Sequence, residues 1–298
     1  MAEPVHRCGL VALVGRPNVG KSSLLNSLVG DKVSIVTPKP QTTRFRVLGI
    51  RSDADVQYVF VDTPGMHRDA PRAVNRLMNR AATGALTGVD AVVFVVEAGG
   101  WRDDDDHALQ MIGPTEGVIV AVNKVDALKG KDSLIPHLEA LAARRPFAAI
   151  VPVSARTGDN LERLLAAIRD ALPESPALYP TDRSSDRDPR WHVAELVREQ
   201  LMLRLDQEVP YSVAVTIDQF EELSKLTRIA ATVWVERSGQ QAIVVGKGGA
   251  LMKEVGRAVR LELEARWERK VFLQLWVKVR ERWTDDQQHL RALGLDET

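Results

Sequence analysis

The sequence predicts an α/β protein of two domains, in which a doubly wound, mostly parallel sheet is followed by a smaller α+β domain. The chain has 298 residues, which suits two domains at roughly 150 residues each. Up to about residue 172, short runs rich in Val and Ile alternate with helical patterns, as expected for parallel strands buried on both faces. Four prolines between residues 173 and 189 then break both periodicities, and a second folded pattern follows. We therefore expect a first domain over residues 1–174, a linker over 175–190 and a second domain over 191–298.

Each apolar run of the first domain is short enough for a strand, and each intervening segment has apolar residues at helical spacing. The expected strands are Leu10–Val14, Val56–Val61, Ala91–Val96, Val118–Val122 and Ile150–Val153. The expected helices are Lys21–Val29, Ala73–Thr83, Asp104–Ile112, Leu134–Arg144 and Asn160–Ala171. This alternation is typical of a doubly wound sheet.

The second domain combines the same two periodicities in a different order. The expected helices are Trp191–Leu205, Ala250–Trp267 and Asp285–Leu295, and the expected strands are Val209–Ile217, Ile229–Glu236 and Lys270–Val279. Three tryptophans fall on faces that the pattern predicts to be buried, and we expect them in the core: Trp234, Trp267 and Trp276.

Composition excludes several classes of protein. Hydrophobic residues make up 45% of the chain and charged residues 27%, which excludes a disordered or fibrous protein. Forty basic residues balance forty acidic ones, so net charge does not indicate a nucleic-acid partner. Cys8 is the single cysteine, which excludes an internal disulfide and a cysteine-based zinc site, and we expect it to be inert. No apolar run reaches the ~18–20 residues of a membrane span. We expect a soluble cytosolic protein.

A glycine-rich loop lies between the first expected strand and the first expected helix. It follows the pattern G-x-x-x-x-G-K-[ST], in which backbone N–H groups form an anion cradle at the start of a helix. Lys21 would bridge the β- and γ-phosphates of a nucleotide, and the Ser22 hydroxyl would bind Mg²⁺. A glycine-rich turn that binds nothing is the alternative, but the strand–loop–helix context favours phosphate binding. The expected nucleotide-binding residues are Gly15, Arg16, Pro17, Asn18, Val19, Gly20, Lys21, Ser22 and Ser23.

A second motif of the form D-x-x-G follows the second expected strand, at the sheet edge where ligands bind. Asp62 can hold Mg²⁺ there through water, and the N–H of Gly65 can contact a γ-phosphate. An ordinary strand-ending turn would be the better interpretation of this motif alone. Its position downstream of the glycine-rich loop reverses that preference. The residues expected at the nucleotide are Asp62, Thr63, Pro64, Gly65 and Met66.

Two further motifs predict the base that is bound. Asn123-Lys124-Val125-Asp126 closes the fourth expected strand, and Ser154-Ala155 closes the fifth. The Asp126 carboxylate offers two acceptors for the N1–H and N2–H₂ donors of guanine, a donor pair that adenine lacks. Asn123 would brace the loops, the Lys124 stem would cover the base, and Ser154-Ala155 would present a backbone N–H to guanine O6. Each motif in isolation could be a solvated loop. In this order and at these strand ends, the four motifs predict a domain that binds GTP.

These motifs resemble the G1, G3, G4 and G5 boxes of the translation-factor-related GTPases. Further segments narrow the resemblance to the bacterial Era GTPases: Lys39-Pro40-Gln41-Thr42-Thr43-Arg44, Tyr179-Pro180-Thr181-Asp182-Arg183, Pro210-Tyr211-Ser212-Val213, Gly246-Lys247-Gly248-Gly249 and Leu251-Met252-Lys253-Glu254-Val255-Gly256. The similarity covers about Gly9 to Val279, nearly the whole chain, in the domain order of that family.

The resemblance implies a P-loop GTPase fold followed by a type II KH domain. It implies a protein that hydrolyses GTP with Mg²⁺, binds 16S rRNA near its 3′ end and assists assembly of the small (30S) ribosomal subunit. It also implies a cytoplasmic monomer with peripheral association to the inner face of the plasma membrane. The Mg²⁺ ligands that it implies are Ser22, Thr43 and Asp62. Thr43 directly precedes an arginine and is chosen over Thr42, and that choice stays open.

The hydrolytic step lacks one usual device. Ras-like GTPases place a glutamine after the glycine of D-x-x-G to orient the attacking water, whereas Met66 and His67 stand there in this chain. His67 could act as a base, but a solvent-exposed histidine is the favoured interpretation. Asn18 resembles the asparagine of potassium-dependent GTPases, and an asparagine that tolerates an unusual turn is an equal alternative. We expect slow hydrolysis, helped by a partner or by K⁺. The residues expected in catalysis are Lys21, Thr43, Gly65 and Asn18.

Local charge points to RNA in the second domain. Residues 246–282 contain ten basic and five acidic side chains, a local net charge of +5. Because the G-x-x-G loop lacks side chains at its glycines, a phosphodiester backbone can approach it closely, as in KH domains. A plain strand–helix turn is the alternative for this motif alone. The expected RNA-binding residues are Gly246, Lys247, Gly248, Gly249 and Lys253.

Three classes of function compete for this combination. The leading one is a switch, in which GTP orders the segments around Thr43 and Gly65 and hydrolysis releases them. The second is a constitutive RNA-binding protein in which nucleotide is mainly a structural ligand. The third is a GTP-dependent RNA-modifying enzyme, against which residues 190–298 show no cluster of catalytic Cys, His or carboxylate residues.

Overall fold

The computed structural model describes residues 6–64, 84, 86–130, 132, 134–281 and 283–285, and the chain divides into two compact units. The first unit contains the described residues of 6–34 and 43–186. The second contains residues 35–42 together with the described residues from 187 onward. Within the described ranges, every helix is too short or too polar to span a bilayer.

A six-stranded sheet forms the centre of the first unit. Its strands are β1 (Arg7–Val14), β2 (Val47–Ser52), β3 (Val56–Asp62), β4 (Ala91–Glu97), β5 (Ile119–Asn123) and β6 (Ala149–Pro152). They lie in the order β2-β3-β1-β4-β5-β6, with β2 antiparallel to β3 and the other neighbours parallel. The predicted doubly wound, mostly parallel sheet is therefore confirmed.

Helices cover both faces of this sheet. The described helices are α1 (Lys21–Val29), α2 (Asp103–Ile112), α3 (Leu134–Ala142) and α4 (Leu161–Ala171). Val11 and Leu13 of β1 pack in the apolar cluster that contains α1 and α4, whereas Ala12 and Val14 pack in the one that contains α2 and α3. Because successive strand residues point to opposite faces, the two clusters lie on the two sides of the sheet. Every residue of β3 is buried for this reason.

The single cysteine lies inside this first unit. Cys8 in β1 is 1% exposed, and its Sγ lies 3.6 Å from Oε1 of Gln57. Burial raises the pKa of the Cys8 thiol above its ordinary value. The side chain therefore behaves as a small buried group of low reactivity.

The proline-rich segment expected to be a linker pairs with the first sheet. Isolated β-bridges join it to β1 and β2 at Glu174 and Ser185. The buried Gln57 side chain of β3 accepts hydrogen bonds from the backbone N–H groups of Leu178 at 2.8 Å and Tyr179 at 2.9 Å. The prolines disrupt helical and strand periodicity, but the remaining backbone groups of the segment still bond to the sheet.

Two sequence expectations for the first unit differ from the structure. β2 was not predicted, because a short edge strand that contains Gly49 and ends in polar residues has no continuous apolar run. β1 begins at Arg7, before the expected Leu10. The expected helix Ala73–Thr83 lies outside the described residues.

The described part of the second unit has a three-stranded sheet and three α-helices. The strands are β7 (Ala214–Glu222), β8 (Leu226–Val235) and β9 (Lys270–Val279), and the helices are α5 (Pro189–Arg204), α6 (Ser238–Val245) and α7 (Ala250–Trp267). The sheet order is β7-β8-β9, with β7 and β8 antiparallel and β8 and β9 parallel. Val193, Val233 and Val259 share one apolar cluster, which joins α5, β8 and α7. Two strands, a helix pair and a third strand form the predicted type II KH topology.

The boundaries of this unit depart from the sequence prediction in two places. β7 begins at Ala214, because Val209–Ser212 forms a 3₁₀ turn around Pro210, which has no N–H to donate. Helix α6 was not predicted, because its apolar residues follow one another without a clear helical face. Beyond residue 285, the expected C-terminal helix Asp285–Leu295 lies outside the described residues.

The three tryptophans expected in the core differ in burial. Trp267 packs edge to face against Phe220, with ring centroids 6.0 Å apart. Trp234 is half-buried, and its Nε1 donates to Oγ1 of Thr216 at 3.0 Å. Trp276 is 57% exposed, so the predicted core position is wrong for this residue. Its strand carries apolar residues on both faces, and alternation alone does not tell which face is buried.

Residues 35–42 belong to the second unit although they lie between α1 and β2 in the sequence. The N–H of Val36 donates to Oε1 of Glu199 at 2.9 Å, and Arg198 donates to the carbonyl of Thr42. Nε of Arg198 also donates to Oε1 of Glu195 at 2.7 Å. Since these three α5 side chains are buried, buried polar groups hold both ends of residues 35–42, and an exposed ion pair between Lys39 and Asp206 adds a surface contact.

Candidate functional site

The glycine-rich loop joins the end of β1 to the start of α1, as predicted. Gly20, directly before the helix, has φ 95°, a conformation that favours glycine. A Cβ at Gly20 would lie 2.5 Å from Nδ2 of Asn123, so the loop approaches the base-side motif too closely for any side chain. The N–H groups at the start of α1 are thereby brought to the carboxyl edge of the sheet.

Lys21 places its cation inside this loop. The side chain is buried, and its Nζ donates to the carbonyls of Gly15 at 2.9 Å and Arg16 at 3.0 Å. Burial lowers the pKa of Lys21 to about 8. The ammonium therefore lies at the centre of the cradle, and its partners among the described residues are backbone carbonyls that phosphate oxygens could replace.

The three expected metal ligands converge at the end of β3. Oδ2 of Asp62 accepts hydrogen bonds from Ser22 at 2.7 Å, Ser34 at 2.8 Å and Thr43 at 3.3 Å. Ser22 and Thr43 are themselves 2.8 Å apart, oxygen to oxygen. Burial raises the pKa of Asp62, and the hydrogen bonds from these hydroxyls oppose that shift. The result is a compact cluster of oxygen ligands.

This cluster fits a magnesium ion. Oδ1 of Asp62 is buried and finds no hydrogen-bond partner within the described part of the chain. A carboxylate oxygen with no donor, beside two hydroxyls, is the oxygen-rich environment that Mg²⁺ requires. Thr42 instead bonds Thr37 at 2.6 Å and the carbonyl of Lys39 at 2.7 Å, so the geometry supports Thr43 as the ligand. Ser34 was missed by the sequence analysis, because no motif spacing distinguishes it.

The Asn123 side chain braces the base-side loops. Its Nδ2 donates to the carbonyl of Val19 at 2.9 Å, and its Oδ1 accepts from the N–H of Ala155 at 3.0 Å. Ser154 N–H donates to the carbonyl of Asp159 at 3.1 Å. Both N–H groups expected to meet guanine O6 are therefore already engaged. Recognition of O6 by either would require one of these bonds to break, which the sequence did not indicate.

The Asp126 carboxylate is positioned as a hydrogen-bond acceptor. Its Oδ1 accepts from Oγ of Ser154 at 2.6 Å, and its Oδ2 pairs with Arg156 at 2.6 Å. The Ser154 hydrogen bond and the Arg156 charge hold the pKa of the Asp126 carboxyl below its ordinary value. The group is therefore ionised at neutral pH, as an acceptor for two donors must be. Arg156 lies outside every motif, and the sequence analysis did not select it.

A partly buried ionic network, also missed from the sequence, links the phosphate loop to the base side. Arg16 is 5% exposed and donates to Glu97 at 2.7 Å and to Asp105 at 3.1 Å. Glu97 also pairs with Nζ of Lys124 at 3.1 Å, and Lys124 donates to the carbonyl of Asn18 at 2.6 Å. Glu97 ends β4 and Asp105 opens α2, so tertiary approach and not local spacing brings these charges together.

Of the remaining residues discussed for hydrolysis, the structure describes Asn18 but not the residues that directly follow Pro64. Asn18 has φ 63°, so the turn interpretation of this asparagine has direct support in its backbone. Gly65 and Met66, and His67 beside them, lie outside the described residues.

The G-x-x-G loop in the second unit lies between helices α6 and α7, whereas the sequence predicted a strand before the loop and a helix after it. Gly248 has φ 59°, and a Cβ built there would meet no atom within 4 Å. Lys247 and Lys253 are exposed. The tip of the loop therefore presents bare backbone flanked by two cations, which suits the close approach of a phosphodiester chain.

Comparison with family models divides the chain as the geometry does. The model described as "50S ribosome-binding GTPase" matches residues 10–124, and the model described as "KH domain" matches residues 208–284. The two matches cover the phosphate, metal and base motifs in one unit and the G-x-x-G loop in the other.

Curated relatives and solved structures match over the whole chain. "GTPase Era" of Xanthomonas oryzae pv. oryzae (strain MAFF 311018) is 51% identical, and that of Stenotrophomonas maltophilia (strain K279a) is 50% identical, each over 98% of both chains. A crystal structure of Era with MgGDPNP and nucleotides 1506–1542 of 16S ribosomal RNA is 37% identical, with a TM-score of 0.93 and coverage of 97% of this chain and 99% of that one. An Aquifex aeolicus Era variant bound to GDP and AlF₄⁻ is 38% identical, with the same TM-score and coverage. The resemblance drawn from the motifs is confirmed, and the chain belongs to the Era family of GTPases.

Proposed function

We propose that this chain is a GTP-hydrolysing switch that binds 16S rRNA near its 3′ end and assists assembly of the small ribosomal subunit. The observation that carries the proposal is the match over 97% of the chain to a solved Era that holds MgGDPNP and an rRNA segment together. In this division of labour, residues 1–174 carry the nucleotide chemistry and residues 191–298 carry RNA binding.

Guanine selection rests on Asp126. Its ionised carboxylate can accept from N1–H and N2–H₂ of guanine once Arg156, whose side chain is 76% exposed, swings into solvent. Adenine would leave the carboxylate unsatisfied, at a cost of about 1–3 kcal/mol. The Lys124 stem, fixed by Glu97 and the Asn18 carbonyl, forms one wall beside the base.

Hydrolysis rests on charge placed around the phosphates. Lys21 would exchange its two carbonyl partners for phosphate oxygens and so neutralise charge that develops on them. Asp62, Ser22 and Thr43 would hold Mg²⁺, which neutralises the remaining charge on the β- and γ-phosphate oxygens. Thr43, the first residue after the segment 35–42, belongs to the first unit and would be drawn toward the nucleotide.

We propose that K⁺, bound with the help of Asn18, supplies the stabilisation that the hydrolytic step otherwise lacks. The support is the absence of a glutamine after Gly65 and the loop position of Asn18. GTP turnover should be faster in K⁺ than in Na⁺, and Asn18→Ala should remove the difference while GTP stays bound. Equal turnover of the parent in the two salts would contradict this part of the proposal alone.

The cellular setting of the proposal follows the family. We propose a cytoplasmic monomer that acts on the 30S subunit, with peripheral association to the inner face of the plasma membrane. Flotation of the purified chain with anionic vesicles, in GTP analogue and in GDP, tests the membrane part.

The experiment that tests the switch compares RNA affinity in two nucleotide states. A labelled single-stranded fragment from the 3′ end of 16S rRNA is titrated with the full chain in a GTP analogue and in GDP. A switch predicts different affinities. Equal affinities would favour the second function, a constitutive KH protein in which nucleotide is a structural ligand.

A further inference from the structure

Among the described residues, the helices of the second unit pack on one face of its sheet and leave the other face open. In β9, Leu273, Leu275 and Val277 pack against the apolar cluster of the unit, so the alternate residues point away from it. Phe272 and Trp276 are among these outward residues and are 45% and 57% exposed. A tryptophan this exposed on a sheet face is unusual, because large apolar rings are mostly buried in folded proteins. Such exposure indicates an interaction surface.

Cations lie beside these rings. In the register of β8 and β9, Arg228 is opposite Phe272, and Trp234 is opposite Lys278. Nζ of Lys278 lies 5.8 Å from the ring of Trp234. We call these five residues, Arg228, Trp234, Phe272, Trp276 and Lys278, the aromatic face.

The composition of the aromatic face favours nucleic acid over protein as its ligand. Gln274 separates Phe272 from Trp276 along the strand, so the exposed apolar surface is interrupted rather than continuous. Flat rings offer stacking surfaces to bases, and flanking cations meet phosphates. The acidic residues Asp218 and Glu221 lie on β7, at the opposite edge of the sheet from β9, where Asp218 accepts a hydrogen bond from Thr232 and Glu221 lies 3.8 Å from Arg228. Positive charge and aromatic rings therefore coincide on β8 and β9.

The aromatic face is continuous with the proposed RNA loop. β9 is an edge strand of the sheet, and the carbonyl of its Val277 accepts a hydrogen bond from Gln241 of α6 at 2.8 Å. Helix α6 leads directly into the G-x-x-G loop. A KH groove holds about four nucleotides, whereas the solved Era complex contains nucleotides 1506–1542. An RNA strand longer than the groove can therefore cross the β9 edge onto the open side of the sheet.

We propose that the aromatic face is a second binding site for single-stranded RNA, which stacks bases of the nucleotides that flank the KH tetranucleotide. The inference rests on the proposed RNA-binding function. It adds a site on the opposite side of the sheet from the helices.

The test measures the affinity of the full chain for two RNAs, one of about four nucleotides and one about three times as long, both from the 3′ end of 16S rRNA. Phe272→Ala with Trp276→Ala should weaken binding of the long RNA by about 5- to 100-fold and leave the short RNA unchanged. Lys278→Gln should lower the slope of log K against log salt by about 0.7 for the long RNA alone. Leu261→Ala, which also removes an exposed apolar side chain from this unit, serves as the matched control and should change neither.

A long RNA without bases at its flanking nucleotides separates stacking from a structural effect. The parent should bind this RNA as weakly as the double variant binds the intact one, and the double variant should bind both equally. A folded double variant that binds the intact long RNA like the parent overturns the proposal. So does a double variant whose only defect is loss of self-association or of a protein contact, with RNA binding intact.

Gly248→Asp distinguishes a failure of the aromatic-face proposal from a failure of the RNA site proposed at the G-x-x-G loop. If Gly248→Asp abolishes binding of both RNAs while the double variant has no effect, the aromatic face is not an RNA site and the proposed function stands. If Gly248→Asp also binds both RNAs like the parent, the assignment of the G-x-x-G loop as the RNA site is wrong.

Discussion

The proposed nucleotide site and the proposed RNA loop differ in the groups that they offer to a ligand. In the first unit, Lys21, Asp62 and Asn123 are buried, and each side chain is held by named donors or acceptors. In the second, Gly248 has no neighbour within 4 Å of where a Cβ would stand, and Lys247 is exposed. As proposed, the first site would recognise its ligand with fixed side chains and the second with accessible backbone. The first should therefore fail when atoms are removed, and the second when atoms are added.

Asp62→Ala should break the first site most severely. It removes the carboxylate on which Ser22, Ser34 and Thr43 converge, and with it the charge that we propose holds Mg²⁺. Loss of several kcal/mol of charge stabilisation corresponds to about a hundredfold or more in GTP turnover. Single-turnover hydrolysis across a Mg²⁺ titration measures it. Ser34→Ala is the control, because Ser34 belongs to the cluster but is not an expected ligand, and it should cost far less.

Asp126→Asn should change the base rather than abolish the site. The amide donates where the carboxylate accepted, so GTP affinity should fall by about 1.5–3 kcal/mol and xanthosine triphosphate should be preferred. Competition between the two nucleotides for a fluorescent analogue measures the preference. Arg156→Ala removes only the exposed partner of Asp126 and should leave the preference for guanine intact. A variant that still prefers GTP would contradict the base-site assignment.

Gly248→Asp should damage the second site by addition. The residue has φ 59°, which an aspartate adopts with strain, and the new carboxylate would repel phosphate. RNA affinity should fall by about 1–3 kcal/mol, while basal GTP turnover stays unchanged because Lys21 and Asp62 are untouched. Gly239→Asp makes the same chemical change in α6, at a glycine with open space and no left-handed φ. This control should bind RNA nearly as the parent does.

Glu97→Gln should have the smallest effect of the four changes, and we expect it on the rate of GDP release from the first site. The change keeps the shape of the side chain but removes the charge that joins Arg16 to Lys124. Loss of this partly exposed pairing, about 1 kcal/mol, should raise the rate of GDP release by roughly fivefold. Asp106→Asn breaks a comparable but exposed pair with Arg144 and should leave release unchanged. Stopped-flow displacement of a fluorescent GDP distinguishes the two variants.

The sequence predicted the loops of both sites because glycines and functional side chains occur there in a fixed local order. Contacts made by tertiary approach were not predictable in the same way. Glu97 and Asp105 meet Arg16 only because β4 lies beside β1 in the sheet and α2 packs against one face of that sheet. Ser34 likewise reaches Asp62 from a segment with no motif.

The buried face of a strand was the other feature that the sequence did not predict. β9 is apolar at Leu273 and Leu275 and also at Phe272 and Trp276, so either set could have been the core. The packing of α7 and α6 on one side settles it, and that information is not local. The antiparallel edge strand β2 was missed for a related reason, since its burial depends on β3 and on the proline-rich segment beside it.

The buried thiol of Cys8 gives the molecule two separate reporters of unfolding. The cysteine lies in the first unit, while five of the six tryptophans lie in the second. Thiol-labelling reagents should modify Cys8 only when β1 leaves the sheet, because the side chain is 1% exposed and its thiolate is disfavoured. Tryptophan emission, by contrast, follows chiefly the second unit. In one denaturant series, the labelling rate and the emission therefore track the opening of the two units independently, and a difference between their midpoints measures the difference in stability between the two units.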